Sequence, residues 1–254
     1  AMANRNLRVG NVLAVIGTSE GGQPNTALKF GDPSQAIAAL RSGPLLDAVL
    51  AAFNPSNETN GPSLVVAMRV NPAVQGSLTL LDSNSNQVIL LKSTDYGLYT
   101  NAAKVKVEAG TTAGTKVTTQ LGAAYFVGDN LTRTVLTARY IGAQATGTLS
   151  VDNATVTLQA PTGTTVATID LATYNTVQKL ADRINAVSGF TAVVAPGQAD
   201  TATLAALDTV SAQNIKAADY PVKADLQAVI DWFNGQSEGF FTATRVAAAG
   251  APPA

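Results

Sequence analysis

The side chains that could do chemistry in this sequence are carboxylates, lysines and hydroxyls, because its 254 residues contain no histidine and no cysteine. Without those residue types the chain cannot form a Ser-His-Asp triad, a Cys-His pair, the usual zinc ligand set or a disulfide. An enzyme of this composition would need two of its 17 acidic residues to be brought together as general acid and base. The acids considered for such a pair are Glu20, Asp32, Asp47, Glu58, Asp82 and Asp95. They fall in predicted turns or on polar helix faces, and helix capping or solvation explains them better than catalysis.

Two loops carry residues that bind ligands in other proteins, and both are interpreted as turns. The Gly21-Gly22 pair lacks the Lys-Ser/Thr pair and the G-x-G-x-x-G spacing of phosphate-binding loops. The segment Asp82–Asn86 alternates oxygen-bearing side chains, but it lacks the central glycine and the distal glutamate of a calcium loop. Trp232 follows the apolar pattern of a helix and is interpreted as packing. The sequence therefore predicts no catalytic residue, no cofactor and no metal.

Composition and charge describe a folded, weakly charged chain. Hydrophobic residues make up 46% and charged residues 13%, which excludes disorder of the highly charged kind. Sixteen basic against 17 acidic residues give a formal charge of −1, too weak a field to collect phosphates, so nucleic acid is not an expected partner. No stretch approaches the roughly 18 apolar residues of a membrane span, so a membrane is not expected either.

Residues 1–100 carry strand and helix patterns that predict a small α/β domain. The apolar run Val9–Gly17 is bounded by glycine and predicts a strand buried on both faces. Asp32 and Pro33 predict the start of a short helix with Ile37 and Leu40 on its apolar face. The remaining predicted elements are a helix over Pro44–Phe53 and strands over Leu64–Val70, Gln75–Leu81 and Gln87–Leu91, the last two joined by a hairpin-like connection.

Residues 101–254 contain short, regularly spaced strands that predict an antiparallel, sandwich-like β domain with two covering helices. The first helix includes Val177–Val187, with Thr173 or Asn175 as candidate N-cap and Gly189 as candidate C-cap. The second spans about Lys223–Asn234 and ends at Gly235. The predicted strands are Lys104–Val107, Lys116–Leu121, Arg133–Ile141, Gly147–Val151, Thr155–Gln159, Thr165–Leu171, Phe190–Val194 and Gly239–Val246. Ala199–Asp208 has no clear pattern, and Ala247–Ala254 is expected to be a tether to a missing C-terminal domain. The predicted fold class is α+β.

Several short segments, none distinctive by itself, occur in an order and at separations that are specific in combination. They are Val15–Gly22, Ser42–Asp47, Phe53–Pro55, Val66–Asn71, Asp95–Gly97, Ala138–Gly142 and Leu180–Ala186. In this combination the sequence resembles the tail sheath proteins of contractile-tailed bacteriophages over nearly its whole length.

The resemblance implies a structural subunit that polymerises with other sheath subunits around the tail tube and shortens to drive the tube through the host envelope. It implies no enzymatic activity, a location in the virion and assembly in the host cytoplasm. Members of this family continue into a C-terminal domain that faces the tube. We therefore expect these residues to be the N-terminal, outward-facing part of a sheath subunit, in contact with the tube only through the missing domain and monomeric in dilute solution.

Two other classes of function remain open to this sequence. A surface or adhesin-like β-sandwich binding module would show clustered exposed aromatic side chains and stabilisation by its ligand. An enzyme that uses carboxylates or lysine would show an acidic cleft with shifted pKa values. The absence of histidine disfavours the enzyme most.

Overall fold

The structure is a computed structural model and describes residues 12–56, 61–204, 206–246 and 250–254. Contacts divide these residues into two compact units. Unit 1 comprises the described residues up to Ser77 together with Ser93–Ala103, and unit 2 comprises Leu78–Lys92 together with the described residues from Lys104 onward. Helices and mostly antiparallel strands occur together in the described chain, which confirms the α+β class.

Unit 1 is built on a three-stranded sheet covered by two helices. The strands are β1 (Val12–Gly17), β2 (Ala27–Phe30) and β3 (Leu64–Arg69), and the helices are α1 (Pro33–Leu40) and α2 (Pro44–Phe53). The strand order is β1-β3-β2, with β1 parallel and β2 antiparallel to β3. The apolar faces of both helices pack on the sheet to form a core of Phe30, Ala36, Leu40, Leu45, Leu46, Val49, Val65 and Ala67.

The prediction that the first strand is buried on both faces is wrong. Strand β1 lies at the edge of its sheet, and Val12 and Ile16 are 54% and 68% exposed. Strand β1 is exposed because an edge strand of this three-stranded sheet has no neighbour on one side and only one face covered by helices. An apolar run in the sequence does not distinguish such an edge strand from a central one. Residues Val9–Asn11 of the predicted strand lie outside the described residues.

The two helices of unit 1 begin where the sequence predicts. Asp32 caps α1 by accepting a hydrogen bond from the Ser34 amide at 2.7 Å, and a proline occupies the first turn of both helices. Ile37, predicted for the apolar face of α1, is instead 49% exposed, and Ala36 takes the buried position beside Leu40. One residue is a rotation of about 100° on a helix, so in a helix of eight residues the pattern locates the buried face poorly.

Unit 2 contains most of the strands. Strands β4 (Ser77–Leu81) and β5 (Gln87–Ser93) are neighbours, as the hairpin-like connection predicts, and β16 (Phe241–Arg245) pairs with β5. Strands β6 (Lys104–Ala109), β7 (Thr115–Leu121) and β8 (Ala124–Leu131) form an antiparallel meander that begins with the predicted hairpin. The other strands are β9 (Thr134–Tyr140), β10 (Thr148–Val151), β11 (Thr155–Gln159), β12 (Thr165–Asp170), β13 (Phe190–Val194), β14 (Val210–Asn214) and β15 (Tyr220–Lys223).

The main core of unit 2 joins two sheets and a helix. The sheets have the strand orders β12-β11-β10-β14 and β13-β9-β15. Their inward side chains share one buried cluster with the apolar face of helix α3 (Val177–Asn185). Leu136, Leu149 and Leu158 are fully buried in it, and Tyr140 packs against Phe190 with ring centroids 4.8 Å apart. Helix α4 (Asp225–Asn234) packs on β7, β8 and β16.

The helix ends of unit 2 correct two predictions and confirm one. Helix α3 is capped by the Thr176 hydroxyl, which accepts from the Lys179 amide, and not by Thr173 or Asn175. Its C-cap is Ala186, three residues before the predicted Gly189, because a turn closed by the hydrogen bond from the Phe190 amide to the Val187 carbonyl leads the chain into β13. Helix α4 ends at Gly235 as predicted.

Four strands were not predicted: β2, β8, β14 and β15. Each carries polar residues, glycine or proline. Strands β2, β14 and β15 are held in their sheets by partners distant in the sequence, whereas β8 pairs with β7, the strand directly before it. The longest helices among the described residues have ten residues, and none of them is long and apolar enough to cross a membrane.

Candidate functional site

Most of the acids named from the sequence meet a hydrogen-bond partner where the structure describes them. Hydrogen bonds from the Ser34 hydroxyl and amide lower the pKa of Asp32, and a hydrogen bond from the Asn86 side chain lowers the pKa of Asp82. Glu20 accepts from the Ser42 hydroxyl at 2.9 Å. Asp47 lies exposed in the first turn of α2, and Glu58 lies outside the described residues. The Asp32 and Asp82 contacts are a cap and a turn, the Glu20 contact joins two loops, and no two of these acids form a pair among the described residues.

The described ranges present neither a metal centre nor an aromatic binding surface. No group of three or more histidine, cysteine, aspartate or glutamate side chains in those ranges could hold a metal ion. Tyr125 is the one aromatic residue among the large apolar residues that are exposed there, at 67%. The clustered aromatic side chains that an adhesin-like module would present are therefore absent from that part of the chain.

A pocket of about 500 Å³ lies in unit 1, between the end of β3 and the turn of 3-10 helix at Leu98–Ala102. We call it the Arg69 pocket. Its apolar wall includes Pro72, Val74 and Leu98, and its polar lining includes Arg69, Asn71 and Asn101. Val74 and Leu98 are 75% and 81% exposed, so the wall is open to solvent.

The guanidinium of Arg69 organises this pocket, although the residue is only 3% exposed. It donates to the carbonyl oxygens of Glu20 at 2.7 Å, Gly22 at 3.2 Å, Asn71 at 3.1 Å and Pro72 at 3.4 Å, and to the Asn71 side-chain oxygen at 3.1 Å. No carboxylate pairs with it in the described part of the chain. Backbone dipoles thus stabilise the buried charge, and in return the arginine fixes the loop before β2 and the segment after β3.

Asn71 and Gly97 complete the framework of the Arg69 pocket. The Asn71 side chain accepts from the Ser19 amide at 3.1 Å and donates to the Ser19 carbonyl at 3.0 Å. The Gly97 amide donates to the Val74 carbonyl at 3.1 Å. Gly97 has φ +124°, and a Cβ there would lie 2.2 Å from the Glu20 carbonyl oxygen, so only glycine lets the two loops approach this closely.

Asp95, another of the acids considered from the sequence, lies in a cluster with Tyr99 and Arg41. The Tyr99 hydroxyl donates to the Asp95 carboxylate, and the Arg41 guanidinium lies 3.9 Å from that carboxylate and 5.0 Å above the Tyr99 ring. Burial, with the carboxylate contact, raises the pKa of Tyr99 to about 12. The phenol therefore stays protonated, and the cluster fastens the start of the Leu98–Ala102 turn.

A second polar cluster lies in unit 2 at the start of α4. Ala224 at the N-cap has no capping side chain, and the buried Asp208 takes that role from a distant part of the sequence. Its carboxylate accepts from the amides of Asp225 at 2.7 Å and Leu226 at 3.1 Å. Asp225 in turn accepts from the Thr132 hydroxyl and from Lys223. The cluster joins the start of α4 to Thr132, which lies between β8 and β9, and to Lys223 at the end of β15.

Asp208 is expected to make the stability of unit 2 depend on pH between about 4 and 6. Burial raises the pKa of Asp208 to about 6, against the two amide hydrogen bonds and the nearby Arg245, which lower it. In this window the folded state holds a proton that the unfolded state has lost, so the free energy of unfolding falls as pH rises, by up to about 3 kcal/mol. Denaturant unfolding followed by Trp232 fluorescence at pH 4, 5, 6 and 7 measures this fall.

The variant D208N isolates the contribution of this carboxylate. An asparagine can still accept one of the two amide hydrogen bonds but does not titrate, so its unfolding free energy should lose most of the slope between pH 4 and 6. D152N is the matched control, because backbone hydrogen bonds from Ala154 and Thr155 lower the pKa of Asp152 and its titration lies below that window. An unchanged slope in D208N would show that Asp208 does not titrate there.

Three tail sheath proteins of phages are similar in sequence to this chain. The one from Enterococcus phage phiEF24C, which is named a tail sheath protein only provisionally, is 30% identical over 157 residues. These residues are 59% of this chain and 26% of that protein. The one from Bacillus phage SP01 is 26% identical over 238 residues, 85% of this chain and 40% of that protein. The one from Staphylococcus phage Twort is 40% identical over 67 residues, 26% of this chain and 11% of that protein. These relatives confirm the resemblance to the phage tail sheath family and support membership of it.

The other comparisons add less. No known family model matches the chain. Among solved structures, the sheath tail protein from Listeria innocua aligns with a TM-score of 0.37 and 11% identity, over 89% of this chain and 38% of that one. The chain spans less than half the length of the curated relatives it matches.

Sequence reasoning missed both the Arg69 pocket and the Asp208 cap. For Arg69 a signal was present, since it is the one charge in the otherwise apolar segment Leu64–Val70. A lone cation in a buried strand needs oxygen acceptors, and turn-rich segments are where free carbonyls occur. For Asp208 there was no such signal, because it ends a stretch without periodicity and caps a helix that begins 17 residues later.

Proposed function

We propose that this chain is part of a subunit of a contractile phage tail sheath. Such a subunit polymerises with other sheath subunits around the tail tube and shortens cooperatively to drive the tube through the host envelope. The observation that carries the proposal is the similarity to the tail sheath protein of Bacillus phage SP01 over 85% of the chain. The subunit would be a component of the virion, assembled in the host cytoplasm.

The proposed work of the sheath is mechanical, so it needs no covalent chemistry and no cofactor. Energy would come from the exchange of one set of contacts between subunits for a more stable set, a two-state packing change repeated along the tail. This agrees with a sequence that lacks histidine and cysteine and carries a net charge of −1, since weakly charged copies of one chain repel each other little.

Exposed apolar side chains offer material for contacts between subunits. They include Ile16 and Leu98 in unit 1, and Tyr125, Ile141 and Val193 in unit 2, each more than 60% exposed. In a sheath, contacts between subunits would cover such side chains on both units.

The test of the proposal is electron microscopy of the full-length gene product that contains this chain. Negative staining should show ringed tubes or shortened cylinders after expression with or without the tail tube protein. Dispersed particles that never form rings, under conditions in which a related sheath protein polymerises, would contradict a sheath role.

We further propose that these 254 residues alone are monomeric, with contact to the tube made by other parts of the full-length protein. Multi-angle light scattering on a sizing column should give a mass near 25.9 kDa at micromolar concentration. A stable hexamer would show that this region by itself holds the contacts that close a ring. The full-length product under the same conditions is the control.

A further inference from the structure

We propose that the Arg69 pocket is a binding site for a carboxylate attached to a short apolar group, such as an alkanoate or the carboxyl end of a peptide that finishes in an aliphatic residue. The proposal does not depend on the sheath function. It comes from the hydrogen bonds that the pocket residues leave unmade and from the apolar wall beside them.

Hydrogen-bond donors outnumber acceptors at the polar side of this pocket. The guanidinium has five N–H groups, and Nη2, which carries two of them, makes one hydrogen bond, at 3.4 Å to the Pro72 carbonyl. The Asn71 amide nitrogen, which also carries two, makes one hydrogen bond, to the Ser19 carbonyl. The side-chain amide nitrogen of Asn101, which carries two N–H groups as well, makes no hydrogen bond with the described residues. A ligand at this side must therefore accept hydrogen bonds.

The charge distribution favours an anionic acceptor. Arg69 and Glu20 are the two charged residues that line the pocket. Glu20 is exposed and its carboxylate is held by the Ser42 hydroxyl, so water and salt screen it. The guanidinium is 3% exposed and surrounded by neutral partners, so its charge is screened far less. A carboxylate can accept from Nη2 and an asparagine amide at once, which a neutral carbonyl does less strongly.

The apolar wall sets the rest of the ligand. Val74 and Leu98 are almost fully exposed, and Pro72 and Ala73 continue the same wall. An aliphatic group that leads away from the carboxylate would cover these side chains, and a volume of about 500 Å³ holds a ligand of that size. A second anionic group on the ligand would have no further cationic partner there, since Arg69 is the one cation in the lining.

Titration of the 15N-labelled 254-residue chain with sodium hexanoate tests the site by NMR. We expect saturable shifts of the Asn71, Gly97, Leu98 and Asn101 signals, with a Kd on the order of 1 mM for a ligand of this size. Hexanamide, which keeps the shape and loses the charge, should bind at least about tenfold more weakly. No saturable shift at these residues, or equal binding of hexanoate and hexanamide, would overturn the proposal.

Two arms of the titration separate the sources of the carboxylate. The peptide Ala-Ala-Leu with a free carboxyl end is compared with its amide and with hexanoate. Tighter binding of the peptide acid than of hexanoate would assign the site to a protein end, and the reverse would assign it to a free acid. If the peptide acid and its amide bind alike, the carboxylate is not what the pocket recognises.

Variants test the residues without removing Arg69, on which the fold of unit 1 depends. L98A and N101A each change an exposed residue and should weaken hexanoate about fivefold, while the chemical shifts of the unit 1 core stay in place. I37A is the matched control, since Ile37 is exposed on α1 in the same unit and does not line the pocket. Equal affinities of L98A, N101A and I37A would overturn the assignment.

Discussion

Replacement of Arg69 by methionine is expected to lower the free energy of unfolding of unit 1 by about 4 kcal/mol, a large fraction of a domain's stability. The methionine side chain is unbranched and apolar like the stem of arginine, but it donates no hydrogen bond. Four backbone carbonyls and the Asn71 side-chain oxygen would lose their donor inside a nearly closed site. Amide hydrogen exchange of Val65–Met68 on β3 measures the change, and we expect it to be about a thousandfold faster.

Arg41 provides the matched control for Arg69. Its side chain is 45% exposed, with one ion-pair contact at 3.9 Å and the Tyr99 ring below it. R41M should cost less than about 1 kcal/mol, because exposed ion pairs contribute little. If R69M and R41M had the same effect, the buried hydrogen bonds of Arg69 would not be what holds the loops of unit 1.

Gly147→Ala is expected to destabilise unit 2 by about 3 kcal/mol, because there is no room for one added methyl group. The new Cβ would lie 2.2 Å from Cγ of Tyr140. The Tyr140 ring cannot move away, since Phe190 packs against it, Gly142 and Gly189 lie against its far end, and Lys216 lies 5.0 Å above it. Urea denaturation followed by Trp232 fluorescence gives the change in midpoint.

The control for this packing effect is Gly163→Ala in the same unit. Gly163 has φ +92° and nothing within 4 Å of the Cβ position, so alanine there meets backbone strain alone, about 1 kcal/mol. The difference between the two variants is the cost of displacing Tyr140. Equal costs would mean that the ring adapts to the added methyl group.

Much of the chain's secondary structure was open to prediction because it follows from local periodicity and capping. Helix α2 and strands β11 and β13 match their predicted bounds. Asp32 caps the start of α1 and Gly235 caps the end of α4, as predicted. Prediction failed for β2, β14 and β15, where pairing with a distant segment decides the structure. Strand β14 is polar throughout most of its length and is a strand only because β10 offers it hydrogen bonds.

The candidate site was less accessible to sequence reasoning than the fold. Turn-forming acids could be assigned to caps because their partners lie two to four residues away, as for Asp32 and Asp82. The partners of Arg69 lie up to 49 residues away, and those of Asp208 17 and 18 residues away. Contacts over such separations depend on which turns the folded chain brings together.

The sequence by itself determined that this protein is folded and α+β, that thiol and imidazole chemistry are unavailable to it, and that it resembles phage tail sheath proteins. These properties depend on residue types and on patterns a few residues long. Only the tertiary structure decided that the apolar strand Val12–Gly17 lies at a sheet edge, that Arg69 is a buried cation held by carbonyls, and that Asp208 caps a helix from a distance. Burial and hydrogen-bond partners at those positions are set by residues far away in the chain, and local sequence patterns do not encode them.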